Sequence, residues 1–204
     1  MRFNLGILST RLAADLADLT LLADQASGAT GRERNAIGEY CLVQIQDSWS
    51  RFVRDLILRS SLGNASRADG TKIPPGVHGR LFERDARQLL KSKWSAKGMG
   101  KDWEPAWTSR DEAGRAIQIL QPLNANDIMT ALGASTNPIT EVKPLRNFVA
   151  HRGHVSADKL EVLAGSWSVT WRQPSDLCLR DGTGLYRFEQ WCIRFQAVAN
   201  AAVK

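Results

Sequence analysis

Apolar residues recur at three- and four-residue steps along most of the chain, which is the period of an amphipathic helix. The first such pattern covers residues 2–26, and the glycine-containing segment 27–35 interrupts it. A second and stronger pattern covers 36–63, where apolar residues follow one face and Gly63 marks the helix end. The chain is therefore predicted to begin with two long helices.

The composition changes between residues 64 and 108. Glycine or proline occupies five of the eleven positions in 69–79, which predicts a loop, and a short basic helix near 79–93 and a second loop follow. Two interpretations are open for this loop-rich insertion: a lid or substrate platform that binds single strands, or a loop whose tryptophans tuck into the core. The basic and aromatic residues concerned are Lys91, Lys93, Trp94, Lys97 and the segment 101–107.

Three further helical patterns follow the insertion. They begin at Ser109, which stands three residues before Glu112 in a capping-box arrangement, near Asn124, and within 137–165. A last helix is predicted over 185–203.

Residues 166–184 lack a helical period and are expected to be irregular or briefly extended. The fold prediction is an all-α bundle of about five helices. We expect a single domain over 1–204, with the loop-rich insertion at about 64–108 lying between the early and late helices.

Composition narrows the class of protein. The chain has 204 residues, of which 43% are hydrophobic, so it can bury a core. No apolar run approaches the length of a membrane span, and acidic residues come too early for a signal peptide. We therefore expect a cytoplasmic protein that does not enter a membrane.

The net charge favours a polyanionic partner. Lys and Arg number 27 against 21 Asp and Glu, which gives a formal charge of +6. Arg51 and Arg54, on the polar side of the second helix, are candidate RNA contacts. The alternative is a solvated helix face on which arginines pair with aspartates at helical spacing.

The sequence predicts neither a metal site nor a cofactor. Cys41, Cys178 and Cys192 are widely spaced and lack any CxxC or Cys/His ligand spacing, so structural zinc and a disulfide framework are not expected. Acidic residues and histidines also form no cluster at ligand spacing.

The segment "LRNFVAH" carries the candidate chemistry. Asn147 and His151 are four residues apart and share one face of a helix, and Arg146 lies on its flank. An apolar stripe on the opposite side is expected to anchor the helix, so that Arg146, Asn147 and His151 are presented together. The stripe comprises Val142, Leu145 and Val149.

These residue types suit the cleavage of RNA, which carries its own nucleophile in the 2'-hydroxyl. A histidine, whose ordinary pKa is about 6.5, can transfer protons at neutral pH. An arginine can stabilise the charge that develops on the phosphorane. The reaction requires no metal.

The stretch "RNFVAHR" resembles the signature of the HEPN superfamily, in which His follows Arg after four to six residues and Asn often stands directly after the Arg. The long helix predicted at 36–58 also resembles the early helix of the RiboL-PSP and abortive-infection HEPN groups. The resemblance covers about 1–63 and 109–203 and implies a HEPN-like helical bundle.

The resemblance implies a metal-independent endoribonuclease that acts as a homodimer with two motifs facing each other. Such proteins are commonly toxins of toxin–antitoxin or phage-defence systems, so an antitoxin or defence partner is expected. His151 would be the general acid or base, Arg146 would stabilise the phosphorane, and Asn147 would orient the phosphate or the histidine.

Two residues next to the motif are further candidate site residues. Arg152 is a candidate phosphate contact, and His154 is either a second proton carrier or peripheral to the site.

The alternative function is a non-catalytic HEPN module that binds RNA or protein. A third interpretation is a helical protein in which Arg146 and His151 merely satisfy an interface.

Overall fold

The computed structural model describes residues 2–95, 105, 107–179 and 187–204. The described chain is mostly helical, which confirms the all-α class. It contains nine helices rather than about five, in addition to two strands of two residues each, β1 (Phe3–Asn4) and β2 (Ala65–Ser66). The helices are α1 (Gly6–Gly28), α2 (Gly31–Ser61), α3 (Glu83–Ser95), α4 (Arg110–Leu120), α5 (Ala125–Leu132), α6 (Ile139–His151), α7 (His154–Ser166), α8 (Pro174–Cys178) and α9 (Arg187–Ala202). No helix in these ranges is both long enough and apolar enough to cross a membrane.

The chain divides into two compact units. Unit 1 comprises Met1–Leu12, Trp49–Ser135 and Ala197–Lys204. Unit 2 comprises Ala13–Ser48 and Thr136–Gln196. Helices α1, α2 and α9 each contribute residues to both units, and the single-domain expectation for 1–204 stays a prediction.

Unit 1 contains the parallel strand pair, in which Phe3 aligns with Ala65. The guanidinium of Arg59 lies 5.0 Å from the centre of the Phe3 ring, so a cation–π contact supports the pair from the end of α2. The sequence did not predict these strands, because two residues are too few to show an alternating pattern.

The loop of the predicted insertion is pinned to the rest of unit 1. Gly76 lies so close to the backbone carbonyl of Gln121 that a Cβ at this position would overlap the oxygen. A ring nitrogen of His78 lies 2.9 Å from the Ile119 carbonyl oxygen. The end of α4 therefore fixes the loop, and its glycine is required for the close approach.

The buried tryptophans of the insertion favour the interpretation in which they tuck into the core. Trp94 and Trp107 are 2% and 6% exposed. The neighbouring residues Lys97 and 101–104 lie outside the described residues, so the structure describes only part of the basic and aromatic segment.

Helix α4 begins where the sequence predicts, but its capping box does not form. Ser109 is the N-cap residue, and its side chain makes no capping hydrogen bond. The capping-box pattern therefore predicts where α4 starts, but it does not predict the hydrogen bonds at the N-terminus of this helix.

The helices of unit 2 differ from those predicted from the sequence in two places. The helical pattern over 137–165 is divided into α6 and α7, and helix α8 lies in the stretch expected to be irregular or extended. Asp176 explains α8, since its Oδ2 accepts the backbone N–H of Gln173 at 2.9 Å at the helix start. Residues 180–184 of that stretch, and residues 185–186 of the predicted last helix, lie outside the described residues.

The carboxylate of Asp176 is stabilised as the charged form. Burial disfavours its ionisation, but hydrogen bonds from the backbone N–H groups of Arg172 and Gln173 and from Arg34 outweigh burial and lower its pKa. Arg34 Nη1 lies 3.0 Å from the Asp176 Oδ1 atom, so this pair ties α8 to α2.

The three cysteines are free and buried. Burial raises the pKa of the Cys41 thiol to about 11 and that of Cys192 to about 12. These thiols therefore stay protonated at neutral pH and pack as small apolar groups.

Candidate functional site

The candidate motif occupies the last two turns of α6, which is held in unit 2 by its apolar side. Val142 and Leu145 are both fully buried, and Val149 is half-buried. The predicted anchoring stripe therefore exists, and it is strongest in the first half of the helix.

A polar network fixes the first turn of α6 against α9. Glu141 Oε2 accepts the indole N–H of the buried Trp191 at 2.8 Å, and its Oε1 pairs with Arg194 at 2.7 Å. Arg194 also donates from Nε to the Thr136 carbonyl at 2.8 Å. One carboxylate thus connects the start of the motif helix to two side chains of α9.

Asn147 and His151 lie on the same side of α6, one turn apart, as predicted. Asn147 is half-buried, and His151 is exposed in the last residue of the helix. An exposed imidazole beside a side-chain amide can exchange a proton with a bound substrate while the amide orients it.

Arg146 lies on the flank of the face that carries Asn147 and His151. It stands five residues before His151, which corresponds to a rotation of about 140° around the helix. Arg146 is half-buried, and its Nε is buried without a hydrogen-bond acceptor among the described residues. It therefore lies at the margin of the buried side rather than beside His151 on the exposed side.

The motif helix ends at Arg152, which adopts a left-handed conformation with φ of 44°. Its backbone N–H donates to the Phe148 carbonyl at 2.8 Å, and this bond closes the last turn. Gly153 then begins the next segment and His154 is the first residue of α7. Helix α6 therefore ends just before Gly153.

The short break places two histidines at adjoining helix ends. His151 is the last residue of α6, and His154 is the first residue of α7, where its side chain is exposed. Both imidazoles are therefore accessible to a ligand at this edge of unit 2.

The guanidinium of Arg152 is already paired. Its Nη2 lies 2.7 Å from both carboxylate oxygens of Glu39 on α2. A phosphate can recruit Arg152 only by competing with this carboxylate, so its predicted role as a phosphate contact is weakened.

Two residues that contact this region, Glu39 and Trp171, could not be recognised from the sequence. Glu39 is 113 positions from its partner Arg152, and no local spacing signals such a pair. The Trp171 ring meets Phe148 edge-to-face, with centroids 5.5 Å apart, in the stretch where the sequence predicted no defined element.

Arg51 and Arg54 belong to unit 1, whereas the other five predicted site residues belong to unit 2. Arg51 is exposed. Arg54 is half-buried, and its Nη1 lies 3.5 Å from the Oδ1 atom of Asp55, so an arginine–aspartate pair is present on this helix.

No group of three or more His, Cys, Asp or Glu side chains in the described ranges is arranged to hold a metal ion. No family model, curated protein or solved structure matches this chain. A function for this chain is therefore inferred from the residues of α6 and their geometry.

The left-handed residue at the end of α6 gives a test of this geometry. Glycine adopts this conformation without the penalty of a Cβ, so Arg152→Gly is expected to be more stable than Arg152→Ala by about 1 kcal/mol. Both variants lose the same exposed ion pair, which is worth about 0–1 kcal/mol. Urea denaturation of the two proteins measures the difference.

Ala150→Gly is the matched control, because position 150 lies within the same helix. A glycine there is expected to cost about 1 kcal/mol. Equal effects of glycine at 150 and 152 would contradict the left-handed cap.

Proposed function

We propose that the protein is a metal-independent endoribonuclease of the HEPN type, which works as a homodimer. The observation that carries this proposal is the surface at the end of α6. There an exposed His151 lies one turn from Asn147, while Arg146 has a buried Nε donor without an acceptor in the described chain. An unpaired buried donor is costly, and a phosphate oxygen is an acceptor that suits arginine.

The proposed reaction needs only groups of the protein and the RNA. The 2'-oxygen attacks the adjacent phosphorus as a base removes its proton, and the bond from phosphorus to the 5'-oxygen breaks. That oxygen takes up a proton, so the products carry a 2',3'-cyclic phosphate and a 5'-hydroxyl. His151 is assigned to proton transfer, Asn147 to orientation, and Arg146 to the phosphorane charge.

The arrangement of α6 supports a dimeric site. Arg146 and His151 are separated by about 140° around the axis of α6, so a single helix presents them to different sides. A second copy facing the first can supply the complementary residue and also the second proton carrier. His154, exposed nearby, is the other source of a proton.

In the cell we assign the protein to the cytoplasm as a toxin or phage-defence effector. An uncontrolled ribonuclease arrests growth, so an antitoxin or a defence partner would restrain it. Overproduction of the wild-type chain should then stop growth, whereas the Arg146→Ala form should not.

The direct test is cleavage of single-stranded RNA by the purified protein in EDTA. The expected products carry 2',3'-cyclic phosphate and 5'-hydroxyl ends, and sedimentation should give a dimer. Cleavage that requires an added divalent cation, or the absence of cleavage, would refute the proposal.

A non-catalytic HEPN module that binds RNA or protein is the second candidate. It is favoured by the Glu39–Arg152 pair, because a carboxylate beside the motif cancels one of the charges that a ribonuclease would use. This candidate predicts that unmodified RNA is bound and recovered intact under the same conditions.

A further inference from the structure

Helix α7 of unit 2 carries apolar residues on two opposite faces. One face packs into the unit through Leu160 and Ala164, which are buried. The other face bears Val155 and Val162, which are 71% and 75% exposed. Positions 155 and 164 differ by about 180° around a helix axis, so the two valines lie on the side away from the core.

Val155 and Val162 form one line along α7, because residues seven positions apart lie within about 20° of each other around the axis. Single exposed apolar residues are common on protein surfaces. Two β-branched residues in line, at the seven-residue spacing of a helix–helix seam, are the pattern through which one helix packs on another. The valine line and the residues beside it, Asp158 and Lys159, are called the outer face of α7 below.

Two opposite charges flank the valine line. Asp158 lies about 50° to one side of the line and Lys159 about 50° to the other. Both side chains are exposed, and neither forms an ion pair with any of the described residues. Consecutive residues of a helix do not face each other, so the two charges do not satisfy each other. The outer face therefore has an apolar centre, a negative edge and a positive edge.

A second copy of α7 complements this face in one orientation. When two copies run parallel about a two-fold axis, each valine meets its own counterpart, and Asp158 of each copy faces Lys159 of the other. An antiparallel pair would instead set Asp158 against Asp158 and Lys159 against Lys159. Like charges placed together weaken association, so the charges favour the parallel pair.

We infer that two copies of the protein associate through the outer faces of α7, with the two helices parallel. The interface is argued from burial and charge, and its catalytic consequence rests on the proposed function. Parallel pairing brings the N-terminal ends of the two α7 helices together. His154 is the first residue of α7 and His151 is the last residue of α6, so the histidines of both copies lie at the same end of the pair.

The test is sedimentation velocity of the full chain. Two helices of 13 residues that meet along one line bury less than the roughly 1,200 Å² of a standard interface, so a micromolar Kd is expected. The protein is therefore examined from about 1 to 100 μM, which spans that Kd, at about 50 mM KCl, where charges are weakly screened.

Val162→Asp should raise the Kd of the dimer at least about tenfold, because it sets two carboxylates against each other in the apolar centre. Val77→Asp is the matched control, since Val77 is a valine of unit 1 that is 79% exposed. It should dimerise like the wild type. Both positions are exposed, so neither substitution should prevent folding.

Charge reversal tests the orientation of the pair. Asp158→Lys should raise the Kd about tenfold, because both attractive pairs become repulsive. Adding Lys159→Asp to this variant exchanges the two edges and should restore the wild-type Kd. In an antiparallel pair the single reversal leaves the like-charge contacts as numerous as before, so an unchanged Kd would overturn the parallel arrangement.

A wild-type protein that stays monomeric at the highest concentration would overturn the inference and leave the outer face to a different protein. A Val162→Asp protein that dimerises as tightly as the wild type would also overturn it. RNA cleavage by that variant would then keep the ribonuclease and refute only this interface. A wild-type dimer that Val162→Asp dissociates, but that leaves RNA intact, would keep the interface and refute the ribonuclease.

Discussion

Replacing His151 by alanine is expected to lower the rate of RNA cleavage about 10²–10⁴-fold, which is the usual contribution of a positioned acid or base. The imidazole is the exposed titratable group one turn from Asn147, and alanine cannot move a proton. The rate is measured in EDTA at saturating RNA, where loss of a proton carrier reduces kcat and leaves KM nearly unchanged.

His154→Ala is the matched control, since this second exposed histidine stands three residues further along the chain. It is expected to retain most of the activity if His154 is peripheral to the site. Because both side chains are exposed, neither substitution should shift the urea midpoint appreciably. A His151→Ala protein that cuts as fast as the wild type would remove His151 from the mechanism.

The local geometry of α6 could be predicted from its sequence, because it follows from the helical period. The burial of Val142 and Leu145 and the shared face of Asn147 and His151 both depend on residues less than two turns apart. Sequence spacing alone fixes such relations once the segment is helical.

The contacts that modify the site could not be predicted in the same way. The Glu39 carboxylate meets Arg152 from a different helix, and only the tertiary fold determines that pairing. The buried Nε of Arg146 likewise depends on what packs against its side of α6. The sequence offered Arg51, Arg54 and Arg152 as RNA contacts, whereas in the structure Arg152 and Arg54 each pair with a carboxylate.

The division of the 137–165 pattern into α6 and α7 has a similar cause. The pattern over 137–165 gives no sign of the break, at which the left-handed Arg152 and the extended Gly153 separate α6 from α7. An arginine seldom adopts that conformation, so nothing in the residue type announces it. The break leaves the exposed His151 and His154 at adjoining helix ends, and the proposed function depends on that arrangement.

Glu141→Ala is expected to destabilise the protein by about 2–4 kcal/mol, because it leaves the N–H of the fully buried Trp191 without an acceptor and breaks the pair with Arg194. Glu141→Gln should cost less, since one amide oxygen can still accept from Trp191. Urea denaturation followed by tryptophan fluorescence measures both losses.

Glu161→Ala is the control for removing a glutamate, because Glu161 is an exposed residue of α7 and its loss should change stability by no more than about 0.5 kcal/mol. Equal stability of the alanine variants at 141 and 161 would contradict the network. Glu141 also anchors the first turn of the helix that carries Asn147 and His151. A Glu141→Ala protein that remains folded should therefore cut RNA more slowly, although its proton carriers are intact, since the helix that positions them has lost its connection to α9.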